Sequence, residues 1–368
     1  MPHFVRWVFF CLAAGVTAGC SLPHGAPQQS TVLAGSEAKD APFAVVAVNA
    51  ENLPYFSHWP NSSGSLGYSW LGNGGGSGTV SIKPGDTLDV VVWDSQQNSL
   101  LANQAQKTVD IKGLRVSPAG DIFLPYVEEV HVAGLTAEEV RDTLQTELEP
   151  IVPAAQVQVA ITPGNGNIVD LVSGVQNPGR FPITEPGLTV LSLVSQGGGI
   201  SPDLRNPIVR LQRGGHTYTV PSNVLFENPS MNVEVRGGDK VVVQEDQRYF
   251  IALGASGREE MTYFPKDEVS ALDALALIGG LNDTRADLRG VLVMREYPAD
   301  AVRADGSGPP RRQVVFSFDL TNVDGLFAAR NFKINPRDVV LATESPVQSA
   351  TTIFGLMGSG IGIANAAF

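Results

Sequence analysis

The sequence predicts an α+β chain of several domains. Three observations carry this: short β-rich runs between Gly and Pro turns alternate with short capped helices, a module recurs, and residues 347–368 are apolar with no ionisable side chain. At 43% hydrophobic and 17% charged the chain has the composition of folded protein. Its net charge of −12, with only 25 Lys and Arg, repels nucleic acid and anionic surfaces, so no nucleic-acid partner is expected.

Residues 1–19 have the layout of a secretory signal: Arg6 precedes an apolar run from Trp7 to Val16, and small residues lead to Cys20. The ending Thr17-Ala18-Gly19-Cys20 resembles a bacterial lipobox, with Thr17 where Leu is usual. That resemblance implies acylation (palmitate) at Cys20, and Ser21 resembles the outer-membrane sorting pattern; an ordinary signal peptide is the alternative. Cys11 is lost with the signal, which leaves one cysteine and so no internal disulfide and no cysteine metal site. Residues 20–77 read as anchor and linker, with one apolar run from Phe43 to Ala50 and a Gly/Ser-rich stretch over 61–78. No GxxxxGK[ST] is present, so the glycines are not a phosphate cradle.

A first domain spans 78–165. Pro84-Gly85 is a turn ahead of the strand pattern that ends at Trp93, which reads as a core residue, and Gly120-Asp121 marks a second turn. Thr136 with Glu139 forms a capping box, and Val140, Leu144 and Leu148 give the helix one buried face. Residues 156–162 alternate as a half-buried strand. The module that follows occurs twice, over 166–246 and 247–346. Gly198-Gly199-Ile200 returns 81 residues later as Gly279-Gly280-Leu281, and Asp239 returns 99 later as Asp338, the difference being an inserted loop near Asp300–Gln313. Ser270 and Asp273 suggest another capping box.

Residues 347–368 read as an amphipathic transmembrane helix. Ala350, Ile353, Phe354, Met357, Ile361, Ala364 and Phe368 fall on one lipid-facing stripe, and Gln348, Thr352, Gly355, Ser359, Gly362 and Ala366 on an opposite stripe suited to a pore lining or helix contact. At 1.5 Å per residue the segment reaches about 33 Å, enough for a hydrocarbon core of roughly 30 Å. A core helix or an unstructured tail are the alternatives, since each glycine costs a helix in water about 1 kcal/mol.

No catalytic constellation is evident. The five histidines are scattered, with no metal-ligand spacing and no nucleophile elbow, so no catalytic residue, metal or cofactor is expected. Asp86, Asp121, Asp239 and Asp338 lie in turns, where Asp bonds nearby backbone. The candidate aromatic surfaces for a sugar are Trp59, Tyr68, Trp70, Trp93 and Tyr126, with Trp59, Tyr68 and Trp70 in a loop pattern.

The order KPGDTLDVVVWD, SPAGDIFLPYV and VAGLTAEEVRDTL resembles the polysaccharide export domain of Wza-type capsule and exopolysaccharide translocons. The two modules resemble soluble ligand-binding β-grasp repeats (SLBB), which follow that domain in this family and precede a C-terminal helix. The resemblance implies a non-enzymatic outer-membrane lipoprotein with most of its chain in the periplasm, and a homo-oligomer of eight protomers forming a porin-like channel. It also implies a capsular polysaccharide or exopolysaccharide as substrate and an inner-membrane polysaccharide copolymerase or tyrosine-kinase-like partner. The rival reading is a lipid-anchored periplasmic polysaccharide-binding or adaptor protein without a pore.

Overall fold

The structure, a computed structural model, describes residues 26–347 apart from 35, 37, 39, 57, 61, 63–67, 73–78, 94–107, 154 and 304. It is a mixed α/β chain with several sheets and short helices, divided into two compact units. One unit runs from residue 67 to 246; the other combines the residues before it with those after it.

The residues before the first domain are not bare tether. Helical turn α1 (Gln29–Val32), strand β1 (Phe43–Ala47) and helical turn α2 (Leu53–Phe56) all belong to the second unit. The apolar run at 43–47 reads as a strand because Phe43, Val45 and Val46 are β-formers, and it finds its partner more than 260 residues later.

In the 67–246 unit, strands β2 (Thr87–Trp93) and β3 (Thr108–Arg115), hairpin β4 (Asp121–Leu124) and β5 (Glu128–His131), helix α3 (Ala137–Leu148) and strand β6 (Gln156–Thr162) share one core. The sheet order is β3-β2-β6, antiparallel throughout. Helix α3 starts where the capping box predicts. Thr136 accepts the Glu139 amide, the Glu139 carboxylate accepts the Thr136 amide, and Val140, Leu144 and Leu148 are buried. On β2, Leu88, Val90 and Val92 point into the core, so Trp93 falls on the other face and is 38% exposed. This corrects the expectation of a core tryptophan. A run of Val-Val-Val-Trp does not itself reveal which parity is buried.

The first module continues with strands β7 (Ile168–Ser173) and β8 (Gly179–Pro182), helix α4 (Val190–Gln196), strands β9 (Pro207–Arg213) and β10 (His216–Pro221), helix α5 (Ser222–Glu227) and strand β11 (Lys240–Glu245). The sheet order is β10-β9-β11-β7-β8, with β11 parallel to β7 and every other pair antiparallel. The second module repeats the series as β12 (Tyr249–Gly254), β13 (Glu260–Tyr263), α6 (Ala271–Leu277), β14 (Ala286–Glu296), β15 (Gln313–Phe318), α7 (Val323–Asn331) and β16 (Val339–Glu344). Its order β15-β14-β16-β12-β13 is the same, and β1 adds a sixth strand parallel to β15.

The sheet of the second module is packed on both faces. Phe250, Val293 and Phe316 face α6, α7 and Trp59, while Leu292, Val315 and Leu341 on the outer face pack against Val32 and Leu33, with Phe43 and Val45 of β1 alongside. Ser270 and Asp273 form the expected capping box at the start of α6.

Gly254, with φ of +90°, sits where a Cβ would lie 2.2 Å from the Ala342 carbonyl oxygen; Gly280 has a similar φ of +80° and open space. Both glycines should resist alanine, by about 1–2 kcal/mol for the left-handed backbone. Gly254→Ala should cost about 1–3 kcal/mol more, because the β12–β16 ladder must also move apart. Denaturant midpoints of the two variants, compared with the parent, measure the difference.

Candidate functional site

The chemistry-bearing side chains fall into turn carboxylates, an aromatic cluster, and a junction at the end of β16. Asp86, Asp239 and Asp338 are almost fully buried, each at the turn before the strand that pairs at the centre of its sheet. Each accepts the backbone amide three residues earlier, from Lys83 at 2.8 Å, Arg236 at 2.7 Å and Asn335 at 2.7 Å. In the modules an arginine completes the arrangement. Arg213 donates through Nε to Asp239 at 3.0 Å and through Nη2 to the Glu234 carbonyl at 2.8 Å; Arg295 donates through Nε to Asp338 at 3.0 Å and through Nη2 to the Lys333 carbonyl at 2.8 Å. Burial works against the charge on Arg295, yet the Asp338 carboxylate outweighs it and holds the guanidinium above its ordinary value. In the first domain Asp86 has neutral donors among the described residues: it accepts from the Gly164 amide at 2.7 Å and the Asn167 side-chain amide at 2.8 Å.

Asp121 departs from the expected turn bonding. Its carboxylate pairs with His131 Nδ1 at 2.7 Å across the β4–β5 hairpin. These carboxylates stand in separate turns rather than converging, so they form no acid–base pair. Among the described residues no group of His, Cys, Asp and Glu could hold a metal ion.

Trp59 does not lie in an open loop. It is buried in the second module, with ring centroids 5.1 Å from Phe56 and 5.9 Å from Tyr297. It walls a cavity of about 260 Å³ shared with Arg295, Tyr297 and Phe332. Trp70 is tied to the first module by a 2.6 Å bond from Nε1 to the Met231 carbonyl. Tyr68 and Tyr126 are exposed, the latter beside exposed Phe123 on the β4–β5 hairpin. Sequence reading passed over Phe123, whose only signal was its place in an alternating strand.

The junction lies in the second module. Glu344, the last residue of β16, is buried and donates its amide to the Pro27 carbonyl at 3.1 Å. Its carboxylate accepts from the Ala26 amide and from Arg285 Nε, both at 3.4 Å, and the Ser345 amide donates to the Arg285 carbonyl at 2.8 Å. Ala26 is buried against Ala255 and Ala342. Residue 26 and residue 345 therefore leave the module side by side. Cys20 and residues 348–368, which include every lipid-face and contact-face residue named above, lie outside the described residues. Among the described residues no helix is long and apolar enough to cross a membrane.

Residues 77–162 match the family described as polysaccharide biosynthesis/export protein, a span that coincides with the β2–β6 domain. The chain carries a polysaccharide export domain. The resemblance drawn from the PGD turn, the second turn and the capped helix is thereby borne out, and the family is one of transport rather than catalysis. Similarity extends well beyond the export domain. The capsule polysaccharide export outer membrane protein CtrA of Neisseria meningitidis is 26% identical over 94% of this chain and 93% of its own length. The capsule polysaccharide export protein BexD of Haemophilus influenzae is 28% identical over 91% and 90%. The EPS I polysaccharide export outer membrane protein EpsA of Ralstonia solanacearum is 29% identical over 70% of each chain.

Asp338→Asn leaves Arg295 charged and buried without a counter-ion, and should cost about 3–5 kcal/mol. Asp239→Asn should cost less, because the Arg213 side chain is 19% exposed against 7% for Arg295. Thermal or denaturant unfolding of the two variants gives the comparison. Glu344→Ala should open the junction locally, by about 1–2 kcal/mol for the lost acceptor, without unfolding the module. Hydrogen exchange at the Ala26 and Leu33 amides reads that opening.

Proposed function

We propose that this protein is an outer-membrane polysaccharide export subunit, anchored through Cys20, whose copies assemble into a channel lined by their C-terminal segments. The substrate is a capsular polysaccharide or exopolysaccharide, and the chain itself catalyses no step. CtrA and EpsA are named as outer-membrane polysaccharide export proteins, which supports that location and cargo for this chain. The resemblance to the Wza type supports a ring of eight protomers, fed by an inner-membrane copolymerase or kinase-like partner.

The observation that carries the membrane reading is the junction of Ala26 and Pro27 with Glu344 and Ser345. Cys20 precedes Ala26 by six residues, so at about 3.6 Å per residue an acylated Cys20 stays within roughly 22 Å of Ala26. Residue 347 follows Glu344 by three residues. Both sequence-predicted membrane elements thus start from one spot on the second module. A lipid anchor there holds the start of the terminal segment at the bilayer surface, where insertion needs no further movement of the folded domain.

A lone amphipathic helix makes no pore. Several copies placed side by side bring the stripe of Gly355, Ser359 and Gly362 together, and small residues allow close helix contact while Ile353, Met357 and Ile361 meet lipid. A lining of small neutral groups suits a sugar polymer in transit, since it offers neither charge nor aromatic faces that would hold the chain.

Cysteines placed at Asn365 or Ala367 should react with a membrane-impermeant reagent on intact cells. Protection of both in assembled protein would favour the lipid-anchored adaptor instead. Met357→Glu should block insertion, because a carboxylate at the bilayer centre costs about 2.5–3.5 kcal/mol. The soluble modules should stay folded, and electron microscopy of detergent-extracted protein should lose its rings; normal polymer export by this variant would exclude the channel.

A further inference from the structure

The two modules share a fold but differ on the outer face of their first hairpin. In the first module this face carries Asp170 on β7, Arg180 on β8 and Lys240 on β11. Asp170 and Arg180 are cross-strand partners in an ion pair at 3.4 Å, as a solvent-facing sheet requires. At the corresponding places the second module has Ile251 on β12, Met261 on β13 and Val339 on β16, again as direct neighbours in the ladder. Tyr249 pairs with Tyr263 on the same face, with ring centroids 6.2 Å apart. Leu253 completes the row. Leu253, Met261 and Tyr263 are 42%, 51% and 37% exposed. The module does not need apolar residues at 251, 261 and 339 for its own folding, because its sister folds with charges at those three places, while exposing Val172 where Leu253 stands.

The other half of the same face shows what the module does with apolar surface. Leu292, Val315 and Leu341 pack against Val32 and Leu33 of the chain itself, with Phe43 and Val45 of β1 alongside on the same face. Leu341 is the ladder neighbour of Leu253, so the exposed row continues the covered one without a break. Strand β16 runs parallel to β12 and ends two residues beyond Ala342, the partner of Gly254, and residues 348–368 start four residues beyond its end. β12 is about 20 Å long at about 3.3 Å per residue, while 21 residues of helix reach about 32 Å. Laying the segment along the row takes a chain reversal at Ser345–Val347.

We infer that the outer face of β12 and β13 is a docking site for the chain's own residues 348–368, occupied before the segment enters the membrane. The apolar stripe of Ile353, Met357 and Ile361 covers Ile251, Leu253 and Met261, which keeps both surfaces out of water while the folded chain crosses an aqueous compartment. Assembly then exchanges this contact for lipid and for neighbouring helices. The docked state does not depend on the channel reading; only the release step does.

The test places the photo-crosslinker p-benzoylphenylalanine at Tyr263 in the full chain. Cells are irradiated after a short isotopic pulse and again after a long chase, and cross-linked peptides are sequenced. Mixed light and heavy chains separate intrachain from interchain products. After the pulse, intrachain links from position 263 to residues 348–368 are expected, and Met261→Glu should abolish them without changing the unfolding midpoint. Links to a second copy, links to lipid, or no links at that stage overturn the docking site. After the chase the intrachain links should disappear; their persistence in assembled protein would leave the docking site standing and overturn the channel.

Discussion

Each module depends on one buried carboxylate. Asp239 and Asp338 close the turn that launches β11 and β16, the strands that pair on one side with the first strand of the module and on the other with its central antiparallel partner. A one-residue slip at that turn would exchange the inward and outward faces of the whole strand. The aspartate blocks the slip by accepting the turn amide and an arginine at once, and the arginine's second bond to a backbone carbonyl fixes the chain on the far side of the turn. Such a pair gives little net stability, since two charges lose their water. What it fixes is register, and register decides which residues meet the core and which face outward.

Much of this was legible because it is local. The capping boxes at Thr136 and Ser270, the stops at glycine and the buried stripe of α3 depend on residues within a few positions of one another. The repeat was legible because spacing survives sequence change: Gly198 and Gly279, and Asp239 and Asp338, keep their places across substitution and insertion. What was not legible is long-range. Nothing near Phe43 announces a partner at Gln313, and nothing near Trp59 announces Tyr297 and Phe316. The arginines that complete the turn aspartates lie 26 and 43 positions away in sequence, so the aspartates alone read as turn residues. Trp93 failed for another reason: on an apolar strand, pattern cannot choose a face.

The N-terminal residues change the second module from a copy into a specialised one. Strand β1 extends its sheet by one strand beyond the five of the first module, and Val32 and Leu33 pack on its outer face. Glu344 then ties residue 26 to the end of the last strand. Two segments far apart in sequence are brought to one place by the same sheet. A duplicated fold with one copy thickened in this way separates two tasks, a module whose outer face carries Asp170, Arg180 and Lys240 and one with apolar residues at those places suited to further packing.

The same physics explains why the terminal segment can be rich in glycine. In water, Gly355, Gly358, Gly360 and Gly362 would together cost a free helix about 4 kcal/mol, so the segment on its own is a poor helix. In hydrocarbon, unpaired backbone groups cost several kcal/mol each, and helix formation is enforced by that penalty. Under the proposed reading, an apolar surface, first a protein face and then a bilayer, supplies the helix stability that the glycines withhold. A leucine-rich segment would be a stronger helix everywhere, but it would commit to the first apolar partner it met, and its bulk would keep neighbouring helices apart where glycine lets them close.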